Sequence, residues 1–310
     1  MDALAGLLDG PRARGAFLMR AVMNPPWAVR VEDGAPLTLM CMTRGEAWVL
    51  PDEGDPVLLR PGDILIARGP DPYTWADDPA SPPRARIGPG GECSTLQGEP
   101  LADAMHLGVR TWGDSPDGAA SVLIGTYQMA GEVSGRLLAA LPPLVFLAAD
   151  EWSCPLMPVL DEEISRDEPG QSVMLDRLLD LLLIATLRSW FARPQAEAPA
   201  WYLAMADPVV GQALRLMQDD PAHPWTVASL AAKAGVSRAG LARRFTELVG
   251  EPPMAYLTGW RLALAADLLR ETDATVGAVA RRVGYSGSFA FSAAFKRVRG
   301  ISPQEHRASS

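Results

Sequence analysis

A twelve-residue pattern occurs twice near the C-terminal end of this 310-residue chain, and it constrains the fold more than any other feature. Thr226-Val-Ala-Ser-Leu230-Ala-Ala-Lys-Ala234-Gly235-Val-Ser237 returns 49 positions later as Thr275-Val-Gly-Ala-Val279-Ala-Arg-Arg-Val283-Gly284-Tyr-Ser286. In each copy a Thr precedes apolar residues at helical spacing, a Gly follows where a left-handed turn residue is needed, and a Ser stands ready to cap the next helix. Helix, Gly-bearing turn and second helix make a helix-turn-helix, so the chain holds two in tandem.

The second helix of each motif is the one that enters a major groove in this architecture. In the first, Leu241, Phe245 and Val249 fall on one face, leaving Arg238, Ala239, Ala242 and Arg243 exposed near the N-terminus. An arginine there can offer two donors to guanine O6 and N7, worth about 1–3 kcal/mol of discrimination, so Arg243 is the leading base-reading candidate. The alternative is that Arg243 and Arg244 form a solvated or phosphate-contacting face. In the second, Phe291, Phe295 and Val298 are expected to be buried. Ser288, Phe289, Ser292 and Ala293 then point outward, with Lys296, Arg297 and Arg299 behind them. That face has few donors, although Phe289 suits thymine methyls, so the first motif is expected to discriminate more. Between the motifs Pro252-Pro253 opens a spacer helix whose stripe of Leu257, Trp260, Leu264 and Leu268 packs against both, while Arg261 and Arg270 read as solvated. Ser302-Pro-Gln-Glu305 reads as a capping box that starts a last short helix.

Charge agrees with this division once the chain is split. The net charge of -9, from 28 basic and 37 acidic residues, argues at first against a phosphate-bearing partner. From Asp207 onward, however, there are 13 basic and 9 acidic residues, a balance of +4, which leaves -13 for residues 1–206.

Before about residue 130, short apolar runs alternate with Gly and Pro, the pattern of an all-β barrel or sandwich. The turn Arg60-Pro-Gly-Asp63 followed by Ile64-Leu-Ile-Ala67 resembles the turn-strand-turn of a cupin barrel. Cupins often hold a metal through several histidines and a glutamate, but His106 is the only histidine in this part of the chain. Pro72-Tyr73-Thr74-Trp75 stands where the late ligand belongs, so no metal or other cofactor is expected. Trp48, Tyr73, Trp75, Trp112 and Tyr127 lie on expected strands or their ends. They either line an apolar effector pocket or simply fill the core. Cys41, Cys93 and Cys154 are too few and too scattered for a disulfide framework, which suits a cytoplasmic protein. Cys93, in a Gly-rich loop, is the one candidate redox thiol, but the adjacent Glu92 disfavours its thiolate.

Residues 131–206 read as helical. Gly131–Leu141 is expected to be one helix, stopped by Pro142-Pro143, and Ser172–Arg193 a longer one. The longer helix is apolar over more than one face, so it needs a second buried surface, either internal or on another copy of the chain. Pro194–Ala200 reads as a linker. The N-terminus lacks a signal-peptide pattern, and the apolar run Leu178–Leu187 falls short of the roughly 20 residues that span a bilayer. The fold class expected is therefore α+β in three parts: a cupin-like β-barrel over 1–130, a helical dimerisation region and linker over 131–206, and an all-α tandem helix-turn-helix domain over 207–310.

The residues Gly235-Val-Ser-Arg-Ala-Gly-Leu-Ala-Arg-Arg-Phe245, Trp260-Arg261, Val283-Gly-Tyr-Ser286, Ala294-Phe-Lys-Arg297 and Gly300-Ile-Ser-Pro303 are similar to the AraC/XylS family. Met1-Asp-Ala-Leu, Arg60-Pro-Gly-Asp63 and Gly125-Thr-Tyr127 resemble the cupin-type sensor domain of one branch of it. The resemblance implies a bacterial transcription regulator that binds double-stranded DNA, usually as a homodimer, and answers to a small-molecule effector or another signal. RNA polymerase is a further candidate partner, and no membrane partner is expected. Family positions that contact bases fall on Ala239, Ala242 and Arg243 and on Ser288, Phe289, Ser292 and Ala293. A metal-dependent cupin enzyme and a barrel that binds only another protein are the rival readings. The first lacks its ligands, and the sequence holds no nucleophile triad or phosphate loop in their place.

Overall fold

Turn residues every few positions leave a helix no room to propagate, so the first half of the chain pairs into sheets. The structure is a computed structural model that describes residues 17–127, 135, 138–152, 154–193 and 198–308. These residues fall into two units, 17–127 with 141–193 and, separately, 135 and 138–140 with 198–308.

The first unit holds two facing sheets. One contains β1 (Phe17–Met23), β3 (Leu37–Arg44), β6 (Ile64–Arg68), β10 (His106–Gly108), β11 (Thr111–Gly113), β12 (Ala120–Tyr127) and β13 (Leu144–Leu147), in the order β10-β11-β1-β12-β3-β6-β13. The other contains β2 (Ala28–Val31), β4 (Ala47–Pro51), β5 (Val57–Leu59), β7 (Tyr73–Ala76), β8 (Ala85–Ile87) and β9 (Cys93–Thr95), in the order β5-β4-β7-β2-β8-β9. The register sorts side chains between the faces of the larger sheet. Met40 stands opposite Ile124 and Leu65 and turns inward, whereas Leu39 stands opposite Gly125 and Ile66 and turns outward. The inward set meets Val29, Val49, Leu59, Tyr73 and Trp75 of the smaller sheet.

The outward face is covered by α1 (Leu156–Glu163) and α2 (Gln171–Phe191). Tyr127 donates its hydroxyl to the Leu179 carbonyl at 2.9 Å, and Arg20 reaches Asp161 at 2.8 Å. At Gly125 a Cβ would stand 2.7 Å from the Leu179 side chain, so the missing side chain lets α2 settle onto the strand. Burial on both faces explains why β3 and β6 read as nearly unbroken apolar runs. The turn that resembles a cupin is a structural anchor: the Asp63 carboxylate accepts from its own turn at Arg60 N and from Ala149 N, each at 2.8 Å.

One expectation needs amendment. β13 has no counterpart in the sequence pattern, which reads as helix and linker beyond residue 130, yet it pairs antiparallel with β6. The helix expected over 131–141 falls largely outside the described residues, as do Met1–Leu4 and most of the Pro194–Ala200 linker. Among the described residues no helix is long and apolar enough to cross a membrane.

The second unit is helical: α3 (Ala200–Ala204), α4 (Val210–Asp219), α5 (Val227–Lys233), α6 (Arg238–Val249), α7 (Pro253–Glu271), α8 (Val276–Arg282), α9 (Ser288–Arg299) and α10 (Pro303–Ala308). It has two cores joined by α7. Tyr256, Leu257, Trp260 and Ala263 enter the core of the first motif, and Leu262, Ala265, Ala266 and Leu269 enter that of the second. The spacer thus packs against both motifs, through more of its circumference than the single expected stripe.

Candidate nucleic-acid interface

Each motif is closed by local hydrogen bonds that the sequence pattern supplies. Thr226 Oγ1 accepts from Ser229 N at 3.0 Å, while Thr226 N donates to Ser229 Oγ at 2.9 Å, a capping box built with serine. Ser237 Oγ accepts from Gly240 N at 3.1 Å and starts α6, and Thr275 Oγ1 accepts from Ala278 N at 3.2 Å and starts α8. Gly235 and Gly284 take left-handed backbone angles, φ +69° and +81°, at the two turns.

The second copy departs from the first at its reading helix. α5 and α8 begin 49 positions apart, but α6 and α9 begin 50 apart, at Arg238 and Ser288. The N-cap of α9 is Gly287 and not the expected Ser286, and it makes no side-chain capping bond. One added residue in the second turn therefore aligns Arg238, Ala239, Ala242 and Arg243 with Ser288, Phe289, Ser292 and Ala293.

On α6, Leu241 and Phe245 are fully buried. Arg238, Ala239 and Arg243 are exposed and Ala242 is half-buried, so the four candidates share one outward face. The Arg243 side chain is 80% exposed and, among the described residues, pairs with Glu247 alone, at 3.7 Å. Arg244 is different: its Nε donates to Asp207 Oδ2 at 2.9 Å and its Nη2 to the same oxygen. Asp207 Oδ1 also accepts from Val209 N and Val210 N, at 3.0 and 2.9 Å. Burial acts to raise the Asp207 carboxyl, but these donors outweigh it and hold the group below its ordinary value. Arg244 is thus a tie between α4 and α6 rather than part of the solvated face.

On α9, Phe291, Ala294 and Phe295 are buried, whereas Val298, expected inside, is 55% exposed. Val298 lies one turn beyond Ala294 and Phe295 on the same face, where the second core no longer covers the helix. Ser288, Phe289, Ala293 and Lys296 are exposed and Ser292 is half-buried. Phe289, at 89% exposure, is the most exposed large apolar side chain among the described residues. Burying it needs a partner surface. Two cations passed over in the sequence, Arg281 and Arg282, are also exposed, in the last turn of α8. The repeat could have singled out Arg282, which occupies the position of Lys233. Arg261, expected to be solvated, is half-buried, and burial lowers its pKa.

The five barrel aromatics do not form one site. Tyr73, Trp75 and Trp112 belong to the cluster between the sheets, with Trp27, whose ring centroid lies 4.3 Å from that of Trp75. The indole N–H groups of Trp27 and Trp75 are buried without a hydrogen-bond partner among the described residues. Trp27 ends the short loop 24–27, directly before β2. Trp48 is half-buried on β4 between inward-facing Ala47 and Val49, and Tyr127 is on the outward face beneath α2. At the barrel rim, Glu32, Asp33, Thr38, Asp71 and Tyr73 border a cleft of about 10 Å³, room for about one water. Burial pushes the Cys93 thiol up, an effect the nearby Trp112 indole only partly offsets, so the thiolate is disfavoured. Among the described residues no three His, Cys, Asp or Glu side chains converge as metal ligands.

Comparison with known proteins bears on both units. A family model described as Cupin matches residues 2–192, and one described as helix-turn-helix domain matches residues 230–309. Putative AraC-like transcription regulators from Streptomyces antibioticus and Streptomyces lividans are 33% and 31% identical over 99% of this chain and 98% of each relative. HTH-type transcriptional regulator AlkR of Acinetobacter baylyi is 28% identical over the full length of both chains. The crystal structure of the DNA-binding domain of AdpA, the global transcriptional factor, in complex with a target DNA is 33% identical. It covers 33% of this chain and 92% of that one, with a TM-score of 0.32. These relatives are all named as transcription regulators. With a 33% identical relative along nearly its whole length, the chain belongs to the AraC family of helix-turn-helix DNA-binding transcriptional regulators, and carries an N-terminal cupin domain.

Proposed function

We propose that this regulator reads two successive major-groove segments through α6 and α9, and that a small molecule held between the barrel sheets controls DNA binding or transcription activation. The observation that carries the DNA side is the pair of outward faces, 238–243 and 288–296, each exposed on a helix whose opposite face is buried. Arg243 makes the base contact in the first motif. Phe289 meets thymine methyls in the second, while Ser288, Ser292 and Lys296 hold phosphates. Arg281 and Arg282 join the phosphate contacts.

On the sensing side, Tyr73, Trp75 and Trp112 form the effector set with Trp27, and Trp48 and Tyr127 do not. The rim cleft has room for about one water, so an effector that enters beside Tyr73 has to displace side chains. Met23, Met40 and Met42 in the same cluster are the most adaptable ones there. Buried indole donors without partners favour a largely apolar effector that carries a hydrogen-bond acceptor. The division of labour proposed is a sensor over 1–130, a dimerisation region and linker over 131–206 and the DNA-binding domain over 207–310. The protein works in the cytoplasm as a homodimer, with RNA polymerase as its partner at the promoter.

Fluorescence anisotropy of the full-length protein tests this, on duplexes selected from a random pool and on scrambled DNA, at several salt concentrations. Binding at least about 10³ tighter to the selected duplex is expected. Equal binding to both would refute sequence-specific reading. A small molecule that shifts the affinity of wild type but not of Trp75→Leu, with the fold retained, supports the sensor assignment. If no small molecule has an effect, the barrel is left with a protein partner.

A further inference from the structure

The two motifs meet off the axis of the helix that joins them. The chain between α4 and α5 passes beneath the turn of the second motif, and Arg261, midway along α7, spans the gap. Its Nε donates to the Pro221 carbonyl at 2.7 Å and its Nη2 to the His223 carbonyl at 2.8 Å. The same guanidinium lies against Gly284, where a Cβ would stand 2.7 Å from Arg261 Nη2 and 2.8 Å from the Ala222 carbonyl oxygen. Entry loop, spacer helix and second turn are therefore in mutual contact around one half-buried arginine.

The loop is itself fixed. Trp225 Nε1 donates to the Asp220 carbonyl at 2.8 Å, the His223 amide donates to Asp220 Oδ1 at 3.0 Å, and the His223 ring lies 4.1 Å from that of Trp225. A continuous α7 sets the distance between the motifs, but not the rotation of each about its own packing contacts with α7. An off-axis fork that must satisfy two carbonyls of one motif while touching the turn of the other does set that rotation.

We propose that Arg261 is a positioning residue that holds the second reading helix in a set rotation relative to the first, and so fixes the spacing of the two DNA segments the protein accepts. The proposal rests on the reading that both motifs contact DNA. Its test uses the full-length protein, a duplex selected from a random pool, and the same duplex with one base pair inserted between the two contacted segments. The insertion rotates one segment by about a tenth of a helical turn. Wild type is expected to bind the inserted duplex about tenfold or more weakly. Arg261→Met keeps the stem and removes the fork, and is expected to lose less than about threefold on the same insertion.

The ratio between duplexes is the readout, because a purely structural defect weakens binding to both alike and leaves it unchanged. Should Arg261→Met lose its helical circular-dichroism signal, Arg261→Lys, which keeps the charge without the fork, is read on the same terms. The proposal is overturned if wild type binds both duplexes equally well, or if the folded variant keeps the full insertion penalty. Failure of wild type to prefer the selected duplex over scrambled DNA is a different result, and it removes the two-motif reading beneath the proposal.

Discussion

Arg243 and Arg244 are neighbours in sequence with opposite duties, and burial of their partners decides between them. Among the described residues Arg243 pairs with an exposed glutamate alone, at 3.7 Å, so its two-donor edge is free to turn toward a base. Arg243→Ala is expected to weaken binding to the selected operator by about 1–3 kcal/mol and to relax preference at one base pair. A position-by-position binding scan checks this, and a uniform loss at every position would make Arg243 a phosphate contact. Arg244 is committed to Asp207, whose carboxylate also accepts from Val209 N and Val210 N at the start of α4. Asp207→Ala is expected to destabilise the helical unit by about 1–2 kcal/mol, because it removes the acceptor for two amides and for the Arg244 fork together. The Asp207 carboxyl is held below its ordinary value when folded, so its contribution is complete above about pH 4 and is lost as pH falls further. Urea midpoints of wild type and Asp207→Ala should therefore converge below about pH 4 and stay apart above it.

At the scale of elements, the first motif includes more chain than its sequence signature suggests. α3 ends at Ala204, which is buried in the same core as Leu214, Leu230, Phe245 and Trp260, and Trp201 and Met205 pack on that core. A fragment starting at residue 198 is accordingly expected to unfold at a higher urea midpoint than one starting at 207. The stability difference should be about 1–3 kcal/mol, the scale of burying one large apolar side chain. Equal midpoints would make α3 a passenger. The second motif carries a different surprise, the extra turn residue before α9. Gly287 offers no capping oxygen there, and Gly287→Ser is expected to stabilise α9 modestly, by a few tenths of a kcal/mol, read as a shift in the same midpoint.

For the whole molecule, α2 is the element with surface to spare. Leu175, Leu179, Leu182 and Leu183 face the barrel, yet Val173, Met174 and Leu181 are exposed at 62%, 46% and 50%. If this second apolar face is the dimer contact, Val173→Glu with Leu181→Glu yields a monomer in sedimentation velocity while the barrel stays folded. A dimer that survives both substitutions places the contact elsewhere. The monomer is further expected to keep its preference for the selected duplex but to bind it more weakly, because two linked DNA-binding domains gain from effective concentration.

Repetition, periodicity and capping residues are local signals, and local signals determined a good deal by themselves. The doubled Thr…Gly…Ser pattern specified two helix-turn-helix motifs, Pro252-Pro253 placed the start of α7, and Ser302 with Glu305 built the capping box that is seen, with bonds of 2.7 and 3.2 Å. Gly and Pro spacing likewise marked short strand runs at 36–40, 45–51, 56–62, 63–67 and 120–127, and a strand overlaps each of them. What only the tertiary structure decided depends on partners far away in the chain. β13 exists because β6 offers it an open edge, and Val298 lies outside because the second core ends at Ala294 and Phe295. Of five aromatics only Tyr73, Trp75 and Trp112 share the barrel interior, joined by a Trp27 that no pattern marked. Arg261 looks like any charged residue on a helix until the loop 40 residues earlier folds back to it. Hydrogen bonds and burial across such separations leave no periodic trace, because the residues that satisfy a side chain are chosen by the packing of elements and not by their neighbours in sequence.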